Sequence, residues 1–393
     1  MNKEIVLAGG MRTPFGDFGK SLKDIPGPAL ATHAAKACIA GLQIDPKLID
    51  HLVLGNVMPV DQGGYFSGRV VALDAGMGID SCALNVSRAC GSGSQAIISA
   101  AAQIATGHSS IALAGGYENT SRAPYVSVDT RWGAKRGPAQ LLDAIDYAYR
   151  DPFDRQLMGE TAENLAEQFG YERAAMDAWA CMSQERAATA AASGFLARQI
   201  APIEVPDGKG HRLFAADEFP RATSLDKLAA LRPVFRQGGS ITAGNSSGMT
   251  DGAAFLMVAD RAAAERAGVR PRARLLDWSV VGVEPRIMGV GPVPAIDALL
   301  RRTGMRVSDV DYFEINEAFA VVNLHAEKSL GIPRAVTNLY GGGISIGHPP
   351  GATGVRMTIT ALAHLEASGG RRAVISMCLG AGQGLAMMVE RIG

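Results

Sequence analysis

Short apolar runs alternate along the chain with stretches in which apolar residues recur every three or four positions. In the first part this pattern predicts strands at Glu4 to Leu7, His51 to Leu54 and Ile111 to Ala114, and helices at Pro28 to Ile39 and Gln95 to Ile104. The last part repeats it, with strands at Arg274 to Val283, Tyr312 to Ile315, Ala373 to Met377 and Leu385 to Glu390, and helices at Val293 to Arg302 and Gly354 to Ala367. Such alternation predicts an α/β fold built on a mostly parallel sheet with crossover helices.

The two parts also match in detail. Gly41-Leu42-Gln43-Ile44-Asp45, followed by Ile49 to Asn56, is echoed by Gly304-Met305-Arg306-Val307-Ser308, followed by Val310 to Asn316. The glycine turn at Cys90, with its helix and following strand, is echoed by His348, the helix from Gly354 and the strand ending at Cys378. We read this as a weak internal duplication, and two such halves packed face to face would bring corresponding strand-to-helix turns to one crevice. The segment between them has another texture: the cluster Arg131-Trp132-Gly133-Ala134-Lys135-Arg136, two polar helices (Glu160 to Phe169, Arg173 to Ala192) and a Pro- and charge-rich stretch to Arg236. It reads as an insertion over the crevice, after which Asp251 to Ala259 supplies another strand to the first half. The expected organisation is residues 1–119 with 249–270 as the first half, 120–248 as the insert and 271–393 as the second half.

Composition narrows the function classes. The 393 residues are 47% hydrophobic, enough for large cores in two or three domains. Lys plus Arg (38) balances Asp plus Glu (38), so no overall field draws the chain to nucleic acid or an anionic membrane. No run of about 18 apolar residues marks a membrane span, Met1-Asn2-Lys3-Glu4 leads directly into a strand, and Glu390 to Gly393 carries no sorting tripeptide; the expected location is cytoplasmic. Five cysteines, Cys38, Cys82, Cys90, Cys181 and Cys378, are odd in number and lack any CxxC spacing, which argues against a disulfide framework and against zinc. Cys38, Cys82 and Cys181 read as small buried hydrophobes.

The other two sit where strands give way to glycine turns. Cys90, in Ser87-Arg88-Ala89-Cys90-Gly91-Ser92-Gly93-Ser94, stands at a helix N-terminus, where unpaired N–H groups and the helix dipole favour a thiolate nucleophile. Cys378 ends an apolar strand and enters Gly380-Ala381-Gly382-Gln383-Gly384. His348 lies in Gly341 to Gly354, where glycines and prolines are expected to exclude regular structure until the helix begins, and a histidine on such a turn is poised for acid–base work near neutral pH. Metal binding is the competing use of Cys with His, but no fourth ligand and no short ligand spacing is present, so no metal is expected.

Cys90-Gly91-Ser92-Gly93, Asn316-Glu317-Ala318-Phe319-Ala320, Gly347-His348-Pro349 with Gly351, and Cys378 with Gly380 follow one another in the order found in the thiolase family, which the whole chain resembles. The insert joins in, through Met158-Gly159 with Thr161 to Asn164, Leu231 to Phe235, and Ala243 to Gly248 with Asp251 to Ala254. The resemblance implies a five-layered αβαβα core of two duplicated halves with an inserted loop domain that binds coenzyme A, as substrate and product rather than as a permanently bound cofactor. It implies that Cys90, deprotonated by His348, takes the acyl group of an acyl-CoA, and that Cys378 removes the α-proton of a second thioester, acetyl-CoA, or protonates the departing enolate. One oxyanion site is then His348 with a water held by Asn316; the other is the backbone N–H groups of Cys90 and Gly380.

By the same resemblance Arg221 lies near the nucleotide end of coenzyme A, Ser247 bonds the pantetheine arm, and Met158, Phe235, Ala318 and Phe319 line the tunnel. Leu157 stands where short-chain members often carry His, Tyr117 to Thr120 replaces a Met-Glu-Ser-Met pattern, Pro350 replaces an aliphatic residue, and Asp143 to Arg155, with Tyr147 and Tyr149, is unlike the usual lid. Three readings follow: acetyl-CoA C-acetyltransferase by reversible Claisen condensation, a 3-ketoacyl-CoA thiolase of broader chain length, and a non-catalytic acyl-CoA binding protein. A decarboxylating ketosynthase predicts Cys-His-His, whereas the third position here is Cys378. The family pattern also implies a homodimer through the first half, often paired into a homotetramer by segments near Tyr125 to Gln140.

Overall fold

In a computed structural model describing residues 3–128 and 130–393, both faces of most core strands are buried, which is why their sequences read as continuous apolar runs. The strands are β1 (Ile5–Arg12), β2 (His51–Gly55), β3 (Cys82–Val86), β4 (Ile111–Glu118), β5 (Thr250–Asp260), β6 (Ala273–Gly282), β7 (Tyr312–Ile315), β8 (Arg372–Leu379) and β9 (Gln383–Arg391). They lie in the order β7-β8-β9-β6-β1-β5-β4-β2-β3, with Gly16–Asp17 as a short tenth strand beside β5. Within the first half β1–β5 and β5–β4 are antiparallel and β4–β2 parallel; β6–β9, β9–β8 and β8–β7 repeat that order and sense in the second. The sheet is therefore mixed rather than mostly parallel, because β5 and β9 each return between neighbours of opposite direction. The two half-sheets meet only at β1–β6, through Val6 opposite Arg274 and Leu7 opposite Ala273.

Alternation along each strand divides the core into layers. Val6, Leu52, Leu54 and Met257 face an outer layer formed by the helices α1 (Gly27–Leu42) and α2 (Ser67–Asp74). Leu7, Val53 and Leu256 face inward onto α3 (Ser92–Ala105). On the far side, α6 (Pro292–Thr303) and α7 (Ala320–Leu330) cover Phe313, Val374 and Met388, while Tyr312, Ile375 and Met387 point to the central layer and its second helix, α8 (Pro350–Ser368). Five layers, αβαβα, result. Cys82 is exposed rather than buried, since it opens β3, the terminal strand with one neighbour.

The central helices touch backbone to backbone at their first turns. A Cβ on Gly93 would stand 2.8 Å from the Gly351 carbonyl oxygen, one on Gly354 would stand 2.4 Å from Ser94 N, and one on Gly116 at the end of β4 would meet the Gly351 oxygen at 2.0 Å. Residues between β4 and β5 stay outside the sheet. Their helices α4 (Met158–Phe169) and α5 (Arg173–Ala192) pack Leu165, Trp179 and Ala180 against Val321 and Val322 of α7 and against Cys378. The polar character of α5 is not a solvated face: Asp177, Ser183 and Gln184 point inward and hold other segments.

Gly354→Ala forces a methyl into that backbone contact. We expect a loss of about 1–3 kcal/mol, read as a lower urea midpoint at unchanged slope. An unaltered midpoint would show that the two helices have room to part.

Candidate active site

Six segments converge above the first turns of α3 and α8. Cys90 follows β3 through a tight turn in which Ala89 adopts a left-handed φ of +43°. Ser92 staples that turn by accepting from Arg88 N at 2.9 Å and donating to the Ala89 carbonyl at 2.7 Å. The Arg88 guanidinium reaches Gln95 at 2.7 Å and, across the halves, Gln383 at 2.9 Å. At the end of β8, Cys378 is fully buried and Gly380 follows; a Cβ on Gly380 would lie 3.3 Å from Met158 Sδ and 3.9 Å from the Ala89 methyl. A side chain there would press on the Met158 thioether, and the Gly380 N–H is turned toward Cys90.

His348 is also buried, and its turn differs from expectation: Gly343–Ile346 forms a helical turn and α8 starts at Pro350. Pro350 lies in the first turn of the helix, where no N–H partner is needed. Gly347 has a φ of +105°, and a Cβ there would collide with Thr250 at 2.5 Å. The imidazole tautomer follows from its partners. Thr353 donates its only hydroxyl proton to the Pro349 carbonyl at 2.9 Å, so it accepts from His348 Nδ1–H at 2.7 Å. The lone pair is thereby placed on Nε2, which faces Asn316 Nδ2 at 3.4 Å. Asn316 Oδ1 is buried without a hydrogen-bond partner among the described residues.

Burial sets the electrostatics, against what the helix N-terminus suggests for Cys90. Desolvation pushes the Cys90 thiol up to about 11, opposed by hydrogen bonds from the backbone N–H of Gly380 and of Cys90 itself. It carries Cys378 further still above the usual thiol range, with the Cys90 charge adding to the rise. His348 falls to about 3, chiefly by burial and then by the Arg356 guanidinium. The resting pair is thiol and neutral imidazole, not a poised thiolate and imidazolium.

Two carboxylates hold the frame, and neither stood out as such in the sequence. Glu118 accepts from Asn56 Nδ2 (2.9 Å), Met58 N (2.8 Å), Val57 N (3.1 Å) and Gly351 N (3.1 Å), which ties the end of β4 to the helix behind His348. Burial pushes its carboxyl up to about 8 against the backbone donors. Four donors on two oxygens is nonetheless the arrangement of an ionised group. Glu317 accepts from Trp179 (3.0 Å), Ser183 (2.6 Å), Asn338 (3.1 Å) and Ile344 N (3.2 Å), anchoring α5 beside Asn316. A lone acidic residue closing an apolar strand was the available signal for Glu118; the partners of Glu317 are too distant in sequence to have been read.

The residues expected to contact coenzyme A differ in exposure and in the neighbours they meet. Arg221 is exposed, with its guanidinium 4.4 Å above the Phe219 ring. That ring occupies the space beside Gly248, whose carbonyl accepts from His348 N at 3.3 Å. Ser247 is part-exposed and donates its N–H to the Ala318 carbonyl at 2.9 Å. Phe235 and Phe319 meet edge to face at 6.2 Å, and the Phe235 ring lies where Gly159 would carry a side chain. Met158 reaches Gly380, whereas Leu157 caps α4, its N–H held by Glu160 at 2.6 Å. Among the described residues no group of three His, Cys, Asp or Glu side chains is placed to hold a metal ion.

Comparison with known proteins decides the family. Residues 5–262 match the thiolase N-terminal domain and residues 269–391 the thiolase C-terminal domain. The chain belongs to the thiolase family. It is 44% identical to the beta-ketothiolase BktB of Cupriavidus necator over 394 residues covering 100% of both chains. It is 38% identical to the mitochondrial 3-ketoacyl-CoA thiolase of Bos taurus, over 98% of each. Among solved structures, human mitochondrial 3-ketoacyl-CoA thiolase superposes with a TM-score of 0.97 at 37% identity, covering 100% of this chain and 99% of that one. The same human protein in complex with CoA gives 0.96 at 36%, covering 99% and 98%. The protein is a thiolase with acyl-CoA acyltransferase activity.

Two outcomes test the site's physics. Thr353→Val removes the acceptor for Nδ1–H and should lower kcat/KM about tenfold, with Thr353→Ser near the parent; equal loss in both would deny the tautomer its role. Modification of Cys90 by iodoacetamide, followed on its peptide by mass spectrometry, should rise about tenfold per pH unit from pH 7 to 9. A plateau below pH 8 would mean that the thiolate is already favoured.

Proposed function

We propose that Cys90 is the acyl carrier of reversible Claisen chemistry between two CoA thioesters, with acetyl-CoA as one of them. Cys90 Sγ attacks the thioester carbonyl as His348 Nε2 accepts and keeps its proton; the bond from carbonyl carbon to CoA sulfur breaks, and Cys378 gives its thiol proton to the leaving CoA thiolate. With thiol and imidazole so far apart in acidity, proton transfer must accompany carbon–sulfur bond formation rather than precede it. The Cys378 thiolate left behind then removes the α-proton of the second thioester; the enolate attacks the acyl carbonyl and displaces Cys90 Sγ, which takes its proton back from His348. The observation that carries this reading is the pair of N–H groups, from Gly380 and Cys90, already directed at the nucleophile's sulfur. The same donors are placed to receive the carbonyl oxygen once the thioester forms. On the opposite side, His348 with Asn316 would stabilise the enolate.

Coenzyme A enters as substrate and leaves as product on a path from Arg221 past Ser247 and between Met158, Phe235, Ala318 and Phe319. Acetyl-CoA C-acetyltransferase is the leading assignment, and the broader 3-ketoacyl-CoA specificity named for several relatives is the second. Either direction belongs to fatty-acid metabolism. We assign residues 120–248 as the coenzyme A-binding loop domain. Five free cysteines suit a reducing cytoplasm. Exposed Tyr65, Phe66 and Ile79 near the open edge of β3 favour a dimer through the first half; exposed Tyr125 and Trp132 in the segment before the lid favour its pairing into a tetramer.

The decisive variant is Cys378→Ala. It should still become acylated on Cys90 by acetyl-CoA, seen as a mass increase on that peptide, while acetoacetyl-CoA thiolysis falls by about a hundredfold or more. Cys90→Ala should lose both. Near-normal thiolysis in Cys90→Ala would sink the mechanism.

A further inference from the structure

Away from the active site, β1, the far part of α8 and the turn Ala197–Gln199 of the insert enclose a cavity of about 540 Å³. Its α8 wall runs from Ile359 to Ala367, about 13–25 Å along the helix from Pro350, and none of the residues assigned to the chemistry or to coenzyme A lines it. β1 borders the space with a bulge between Ala8 and Met11, where Gly9 and Gly10 leave the pairing with β5 at φ of +63° and +122°. A Cβ on Gly10 would meet Ile359 at 2.8 Å, and Arg272 Nη1 donates to the Gly9 carbonyl at 2.7 Å. Both contacts fix the bulge.

The charged groups around the cavity do not balance. Arg272 and Glu366 neutralise each other through two bonds, at 2.7 and 2.6 Å. Arg198 lines the same space, exposed and 5.7 Å from the Phe195 ring, and has no carboxylate partner among the described residues. Its neighbour Gln199 is 3% exposed. The Gln199 Oε1 accepts from Thr360 at 3.2 Å, while Nε2 is buried with no hydrogen-bond partner among the described residues. An interior amide donor without a partner is costly, and an acceptor that reaches it relieves the cost.

A guanidinium without a counter-charge and an amide N–H without an acceptor, on adjacent residues, suit one ligand group: a planar anion with two acceptor oxygens. The remaining wall is apolar, with Met11, Phe195, Ile359 and Ala363, and the volume falls in the range of about 300–1,000 Å³ usual for small-molecule sites. We propose that this cavity binds a small carboxylic acid with an apolar body, its carboxylate between Arg198 and Gln199 and its chain against Met11, Ile359 and Ala363. Such a ligand ties the insert to β1 and α8 of the core. The site is separate from acyl transfer and does not depend on the acyl-carrier reading.

The probes are hexanoate, hexan-1-ol and inorganic phosphate, titrated calorimetrically into the full-length protein saturated with CoA, so that the coenzyme A path is filled. Hexanoate should bind, and hexan-1-ol should bind at least about tenfold more weakly. Arg198→Gln and Gln199→Met should each weaken hexanoate about tenfold. Because Arg198 is exposed, acetoacetyl-CoA thiolysis by Arg198→Gln should stay near the parent and report an intact fold; if Gln199→Met does not fold, Arg198→Gln alone decides. No binding up to about 20 mM hexanoate, equal binding of hexan-1-ol, or hexanoate affinity unchanged in Arg198→Gln overturns the proposal. Phosphate that displaces hexanoate and binds more tightly overturns the carboxylate assignment.

Discussion

The arrangement depends on one close approach, that of α3 and α8 at their first turns. Gly93, Gly351 and Gly354 let two helix backbones meet where side chains would hold them several ångströms apart, and Gly116 admits the end of β4 to the same point. Cys90 immediately precedes one of these helix starts and His348 the other. The separation of the Cys90 and His348 backbones is thus fixed by main chain against main chain, which has no rotamers to vary. Glu118 locks the contact from outside by bonding Gly351 N and the loop after β2 with one carboxylate.

Burial follows from that approach and determines the style of catalysis. A site sealed by backbone contact leaves little water to stabilise charge, so both thiols stay protonated and the imidazole stays neutral at rest. Charge then appears only during reaction, where fixed N–H groups meet it at no cost of reorganisation. Arg356, paired with Glu314, which also accepts from the Tyr312 hydroxyl, contributes to this by disfavouring a proton on His348.

Much of this was legible in the residues. The paired strand and helix pattern announced two halves, and the order of strands repeats in each. Cys90, His348, Asn316, Cys378 and Gly380 were marked by glycine turns and motif order, because catalytic geometry at strand ends needs glycines that sequence displays. Strand direction was not legible: β5 and β9 have the same apolar texture whichever way they run. Nor were the polar clamps, since Glu317 meets Trp179 and Ser183 across a long stretch of chain. The acidity of Cys90 is not legible from its helix start alone, because the burial that outweighs the dipole exists only in the folded packing around the turn.

The discontinuity of the first sheet has a consequence for how the protein is made. β5 lies between β1 and β4 yet is synthesised after the whole insert, so during translation those two strands hold open edges until residue 260 has emerged. The Cys90 turn waits longer, until Gly351 and Gly380 arrive from the far end. Long-range closure of this kind slows folding and exposes strand edges to other nascent chains. It also keeps Cys90 apart from the Gly380 N–H and from His348, and its thiol unshielded by burial, until nearly the entire polypeptide exists.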